Sequence, residues 1–279
     1  MEPMARIFFT IISAILTICY AFPQKWSEGP GAKAQKPLRF EVASIRLNKS
    51  DSESARLRYR RGRFVAVNLP LYTIIAEGYG VSYLSPRLSG GPGWVHSEKY
   101  DIEATIPSTA FPAGVPFRVL QERTRSMLRT LLAERFKLTV RQQRKEMLVY
   151  ALTVGRGGPK LQKAKVQEND CLAPSGDAAP PCHRISGNPS RGIAGFGVDM
   201  SDVLPIVEFW TGRPAIDRTG IKGLYDIKTG PWRPLQAVQT SDDFPTFFML
   251  FEKLGLHLRT QKALIDGFVI EHVERPSEN

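Results

Sequence analysis

Two stretches of this chain carry the same sequence signals in the same order, and this recurrence limits the fold more than any other feature. A turn followed by Tyr-Asp-Ile occurs twice, which places Tyr100 and Tyr225 125 residues apart. The end of a predicted helix and the start of a strand also recur, at residues 136–138 and 254–256, with a spacing of 118 residues. An ordered recurrence of this kind is typical of a duplicated unit. We therefore expect two related units.

Hydrophobic periodicity predicts the elements of each unit, because strands alternate apolar with polar residues and helices repeat them at a period of 3.6. The first unit has predicted strands at 40–45, 63–67, 100–106, 138–142 and 147–154, and helices at 69–78 and 123–136. The second has predicted strands at 196–198, 225–227, 256–260 and 267–273, a helix ending near Trp210 and another at about 244–254. The expected N-caps are Asn68 in the first unit and Asp199 or Ser201 in the second. The predicted fold class is α+β, with the helices of each unit on one face of a small, mainly antiparallel sheet.

Helical spacing also predicts which side chains pack beneath each sheet. Leu131 and Leu132 are expected there in the first unit, and Phe248 and Phe251 in the second. Tyr100 and Tyr225 are expected at equivalent places on equivalent strands.

The N-terminus has the order of a secretory signal, since Arg6 precedes an apolar run from Ile7 to Ala21 that ends in polar sequence. Cys19 and Ala21 would occupy the −3 and −1 positions of a cut after Ala21. About 15 apolar residues are fewer than the roughly 20 that a membrane span needs. A retained anchor and a lipidated Cys19 are the alternatives. We expect an exported chain, periplasmic or secreted, with no transmembrane segment after cleavage.

The remaining organisation follows from composition and periodicity. The predicted regions are a signal peptide at 1–21, a flexible leader at 22–37, the first unit at 38–154, a linker at 155–191 and the second unit at 192–279.

After signal removal the chain keeps two cysteines, Cys171 and Cys182. A pair in an oxidising compartment, closing a short loop rich in Pro, Ala and Gly, predicts a disulfide in the linker. The alternative is a metal site that adds His183, but it lacks the C-x-x-C spacing and a nearby fourth ligand.

The sequence offers no recognisable catalytic constellation. None of its four histidines forms H-E-x-x-H, and G-x-S-x-G is absent. Arg218 interrupts what would resemble an aspartic-protease loop at 217–220, and Pro159 removes an amide from a glycine-rich segment at 155–160. We therefore predict no catalytic residues, no metal ligands and no cofactor.

Arginines stand at alternate positions in one predicted strand. Arg56, Arg58 and Arg60 would share one face, extended by Arg61 and Arg63, in a chain of net charge +11. This pattern predicts a surface for an anionic partner, such as an envelope polysaccharide, a lipid headgroup or an acidic protein surface. Nucleic acid is not expected as a partner of an exported chain. The alternative is an edge strand whose charges prevent aggregation.

Three tryptophans, Trp94, Trp210 and Trp232, lie beside turns or helix ends. They could stack on sugar rings from exposed loops, or close the ends of a small core. Their positions in the sequence do not decide between these roles.

Several longer segments carry a family resemblance. They are FEVASIRLN, GRFVAVNLPLYTIIAEGYGV, LSGGPGWVHSEKYDIEATIP, MLRTLLAERFKLTVRQQRKEMLVYALTVGRGGPKLQ, GRPAIDRTGIKGLYDIKTG and GFVIEHVERPSEN. Together they resemble an exported, internally duplicated family of unknown function that is expanded in Acidobacteria. The second unit also looks like the short periplasmic domain of secretins and TonB-dependent receptors. The resemblance implies export and brings no catalytic residues.

These observations favour an exported cell-envelope protein that acts as a non-catalytic binding or scaffold module, with an anionic envelope polymer or another envelope protein as its partner. The alternative is a hydrolase of an envelope or extracellular polymer. Two convergent carboxylates in a cleft would favour the hydrolase, and an open basic or aromatic surface would favour the binding module.

Overall fold

The computed structural model describes residues 37–60, 62–110, 114–172, 182–233 and 245–276. The predicted signal peptide, nearly all of the leader and Arg61 lie outside these residues. Within them there are five α-helices, and twelve strands form three four-stranded sheets. This confirms the predicted mixture of helices and sheets. The third sheet was not predicted. None of the helices in this part of the chain is long and apolar enough to cross a membrane.

The first sheet lies in residues 37–154, which we call the first half. Its strands are β1 (Val42–Leu47), β2 (Arg56–Arg60), β3 (Arg63–Pro70) and β5 (Lys99–Thr105), in the antiparallel order β1-β5-β3-β2. The other elements are α1 (Leu71–Gly78), β4 (Leu88–Gly90), α2 (Trp94–Ser97) and α3 (Phe117–Phe136). The inner faces of the sheet and of α1 and α3 share one apolar core.

The second sheet lies in residues 155–276, which we call the second half. Its strands are β7 (Gln162–Lys163), β8 (Arg184–Asn188), β9 (Gly192–Val198) and β11 (Tyr225–Lys228), in the antiparallel order β7-β11-β9-β8. The helices α4 (Met200–Thr211) and α5 (Phe247–Lys253) contribute to a second core. Two of these strands, β7 and β8, come from the segment 155–191 that composition indicated as a linker.

The third sheet joins the halves. Strand β6 (Thr139–Val154) of the first half pairs antiparallel with β12 (Leu256–His272) of the second along nearly its whole length. Strand β10 (Ala215–Asp217) pairs in parallel with β6, and β4 pairs in parallel with β12, so each half supplies a short strand to the long strand of the other.

The prediction of two strands in place of β6, and of two in place of β12, was wrong. The polar run Gln143-Arg-Lys-Glu146 resembles a turn in sequence, but its backbone continues the ladder with β12. A strand can carry these polar side chains because the ladder is formed by backbone groups alone. Glu146 also forms an exposed ion pair with Lys262, at 3.1 Å.

The aspartate of each Tyr-Asp-Ile segment accepts a backbone hydrogen bond from the strand that precedes the first helix of its half. Asp101 does so with β3, and Asp226 with β9. Asn68 and Gly197 adopt left-handed φ values of 57° and 53°, which interrupt β3 and β9. The Asn68 amide donates to Asp101 Oδ1 at 2.8 Å, and the Gly197 amide donates to Asp226 Oδ1 at 2.9 Å. The residue that follows in β3, Leu69, pairs with Tyr100, and the one that follows in β9, Val198, pairs with Tyr225.

This geometry corrects one predicted cap and confirms another. Asn68 lies inside β3, and α1 instead begins after Pro70 with no side-chain cap. Asp199 caps α4 as predicted, by accepting from the amides of Ser201 and Asp202.

The predicted packing holds for three of the four side chains. Leu131, Leu132 and Phe251 are buried. Phe248 is only half-buried, against the ring of Tyr150 at 5.3 Å, because Phe247 points into the second core in its place. Tyr100 and Tyr225 both lie on strands at the positions that pair with the ends of β3 and β9.

We expect Asp101→Ala and Asp226→Ala each to lower the free energy of unfolding by about 1–3 kcal/mol, because each leaves a bulge amide without its acceptor. Urea unfolding measures this change. Glu103→Ala, on the same strand as Asp101 but exposed, is the control and should cost less than about 0.5 kcal/mol. Aspartate variants as stable as this control would contradict the assigned role.

Candidate functional site

The predicted arginine strand is β2, at the edge of the first sheet. Leu57 packs against the first core, so Arg56 and Arg58 project from the opposite face of the strand, where both are exposed. Arg60 is the last residue of β2, and its side chain lies outside the described residues, as does Arg61 entirely. Within the described residues, neither Arg56 nor Arg58 forms an ion pair or a side-chain hydrogen bond.

The rest of this face carries two more arginines and the carboxylates of Asp101 and Glu103. Arg63 begins β3 and reaches Glu103 on β5 at 3.5 Å, with both side chains about three-fifths exposed. Arg46 on β1 is exposed on the same face, because its neighbour Ile45 is buried in the core. We call Arg46, Arg56, Arg58 and Arg63 the basic face.

Cys171 and Cys182 are joined by a disulfide bond, with their Cα atoms 5.4 Å apart. Both are buried against Leu224, Ala164 and Val166. Bonded cysteines have no thiolate to offer a metal ion, so the alternative that used both cysteines and His183 does not fit this structure.

A charged network surrounds His183, which follows the disulfide. Its Nδ1 lies 2.8 Å from Asp202 Oδ2, and its Nε2 lies 3.2 Å from Glu168 Oε1. Arg118, on α3 of the first half, approaches Asp199 Oδ1 at 2.8 Å and Asp202 Oδ1 at 2.9 Å. The network therefore fastens α3 to the start of α4.

The charged groups of this network shift the pKa values of one another in the direction that keeps them ionised. Burial alone would lower the pKa of Arg118, but the carboxylates of Asp202 and Asp199 outweigh it and raise the pKa. Burial alone would raise the pKa of Asp199, but hydrogen bonds from Ser201 and Arg118 outweigh it and lower the pKa. Arg118 and Asp199 are therefore both ionised at neutral pH.

The network does not have the geometry of a catalytic or metal site. Ligand atoms of His183, Asp199 and Asp202 lie within 4.8 Å of one another, but the Arg118 guanidinium already occupies the cationic position beside both carboxylates. The side chain of His183 is only 2% exposed, so a substrate has no access to its ring nitrogens.

A cleft of about 500 Å³ opens beside this network, at the end of β7. Its walls are formed by residues 163–168, apart from Lys165, together with Asp199 and residues 222–225. Glu168 and Asp199 both line it, but Glu168 faces His183, and Asp199 caps α4 and pairs with Arg118. These two carboxylates are therefore engaged in the fold.

The tryptophans divide between the core and its margins. Trp232 is 3% exposed within the second core, and Trp210 packs edge-on against it with ring centroids 5.3 Å apart. Trp94 is half-buried beside the first core, under the guanidinium of Arg275 at 4.8 Å. Trp232 thus closes its core and is not a platform for a sugar.

The His183 network was missed by sequence reasoning. The spacing of Asp199 and Asp202 suggests a helix cap and nothing more, while Arg118 lies in the other half of the chain. Only the fold brings these residues together.

A model of the family described as "Protein of unknown function (DUF3738)" matches residues 72–273. No curated protein and no solved structure matches the chain. The match includes the cleft and the His183 network, but it begins after β2.

We expect Arg118→Met to lower the free energy of unfolding at neutral pH by about 1–3 kcal/mol, since it leaves two partly buried carboxylates without their cation. Arg135→Met, on the same helix, is the control and should change it by less than about 0.5 kcal/mol. Equal stability of the two variants in urea would contradict the role of Arg118.

The lowered pKa of Asp199 also predicts a pH dependence. Its charge stabilises the folded protein at neutral pH, and this contribution is lost as the pH falls below the ordinary value of 3.8 towards the folded value. Asp199→Asn keeps a capping oxygen but not the charge. We therefore expect its unfolding free energy to fall less steeply than that of the wild type between about pH 5 and about pH 2.

Proposed function

Because the chain belongs to the DUF3738 family, a family of proteins of unknown function, we propose its function from its own surfaces: it is an exported protein of the cell envelope that binds an anionic polymer without chemically altering it. The observation that carries this proposal is the basic face, where Arg56 and Arg58 are exposed on an edge strand and, among the described residues, no carboxylate pairs with them.

The geometry of this face suits an extended polyanion. Alternate residues of a strand are spaced by about 7 Å, so Arg56 and Arg58 form a row along β2. Val67 and Val65 on the neighbouring strand β3 pair with Arg56 and Arg58, and they are half-buried on the same face. Guanidinium groups recognise carboxylates and phosphates through paired hydrogen bonds.

The non-catalytic part of the proposal is supported by the state of the acidic residues. In the cleft, the carboxylates that a hydrolase would need are committed to a helix cap, an arginine and a buried histidine. A general acid or base must instead reach the proton of a bound substrate.

We also propose that the two halves arose by duplication. Each half runs β-β-β-α-β-β-α-β, with α2 added in the first, and the antiparallel sheets have the same strand order. Strand β10 pairs with β6 at Tyr150, while β4 pairs with β12 at Phe268, 118 residues later. Glu146 and Leu264, which pair directly, are also 118 residues apart, as a two-fold axis through the ladder requires.

Export is supported by the order of the first 21 residues and by the disulfide, because disulfides persist in oxidising compartments. We expect the intact mass of the protein from the envelope or medium to correspond to residues 22–279 less about two hydrogens. A mass that includes residues 1–21, or two thiols that label without reductant, would contradict this proposal.

The binding proposal predicts that Arg56→Gln with Arg58→Gln weakens retention on immobilised polygalacturonate about three- to tenfold at low salt and flattens its salt dependence. The unfolding free energy should change by less than about 0.5 kcal/mol, because solvated strand charges contribute little to folding.

Lys145→Gln with Arg259→Gln is the matched control, since both residues are exposed and the charge change is the same. The variant with these two changes should keep more than half of the wild-type retention on polygalacturonate. If both pairs weaken it equally, only net charge matters and the basic face is not the site. If neither does and the arginine pair aggregates, β2 is a protected edge.

A further inference from the structure

The cleft beside β7 lies at a place where the two halves differ. In the first half, the side chain of Asn68 donates to the carbonyls of Ser52 and Ser54 and holds that loop against β3. Gly197 occupies the same position in β9, and a Cβ atom there would lie 2.7 Å from that of Cys182. Cys182 and Val166 therefore pack against β9 at this position, and Val166 also lines the cleft.

The charge that the cleft leaves without a partner is positive. Lys163 and Lys222 line it, and within the described residues neither forms an ion pair or a hydrogen bond through its side chain. The two acidic residues of the wall, Glu168 and Asp199, already face His183 and Arg118. An anionic group would therefore gain two partners here and displace none.

The remaining wall suits a compact polar ring. Tyr225 is half-buried, and with Leu224 and Val166 it offers apolar surface on which the face of a sugar can stack. The side chain of Gln167 can hydrogen-bond hydroxyl groups. A volume of about 500 Å³ is within the range of small-molecule sites.

We propose that this cleft binds an acidic sugar, a pyranose-sized molecule that carries a carboxylate or a phosphate, with Lys163 and Lys222 holding the anionic group. This site is separate from the basic face and goes beyond the proposed function. Its residues all lie within the segment 72–273 that matches the family, whereas β2 does not.

The test is a titration of the 15N-labelled protein with D-glucuronate and with glucose 6-phosphate, followed by amide shifts in two-dimensional NMR. We expect both probes to shift amides of residues 163–168 and 222–225 with a Kd of about 1 mM. Lys163→Gln with Lys222→Gln should weaken binding at least tenfold. Lys165→Gln with Lys228→Gln, an equal charge change outside the cleft, should leave it unchanged.

Neutral glucose and inorganic phosphate separate the two parts of the proposal. Binding of glucose as tight as that of glucuronate would overturn the anionic class, and phosphate as tight as glucose 6-phosphate would overturn the sugar class. No shift in the cleft, or no effect of the lysine pair, would overturn the site itself. The arginine pair of β2 should bind both sugars like the wild type, so failure here is distinct from failure of the basic face.

Discussion

The antiparallel pairing of β6 with β12 is the interaction on which the rest of the structure depends. It holds two strands that are more than a hundred residues apart in sequence, and it provides the edges on which β4 and β10 complete the third sheet. Strand β4 of the first half pairs with β12 of the second, and β10 of the second half pairs with β6 of the first. Neither half therefore contains its own complete fold. The His183 network adds a second connection, from Arg118 on α3 to the N-terminus of α4.

The sequence predicted what is local and missed what is long-range. The recurrence of Tyr-Asp-Ile falls on β5 and β11, each the second strand in the order of its sheet, although the sequence could not reveal that the aspartate binds a left-handed bulge amide. Asn68 was mistaken for a helix cap because it precedes Leu-Pro, a sequence that commonly begins a helix. The long strands were divided at polar residues because periodicity reports burial, and the middle of the β6–β12 ladder is exposed.

The candidate sites follow the same division. The row of arginines could be placed on a strand from their spacing, because alternate strand residues share a face. The disulfide could be inferred by counting cysteines. The cleft and the His183 network could not, since they combine residues from β7 and the segment after it, from the start of α4, from the turn before β11 (cleft only) and, in the network, from the other half. The two antiparallel sheets have the same strand order, whereas the cleft is lined by residues of the second half alone.

Strand β12 also connects the two cores. Ile270, near the end of β12, is buried in the core formed mainly by the first half. That core is therefore completed by a residue that follows most of the second half in sequence. Strand β12 thus supplies buried side chains to both cores, Ile270 to the first and Leu256 to the second, so the two halves share one strand as a structural support.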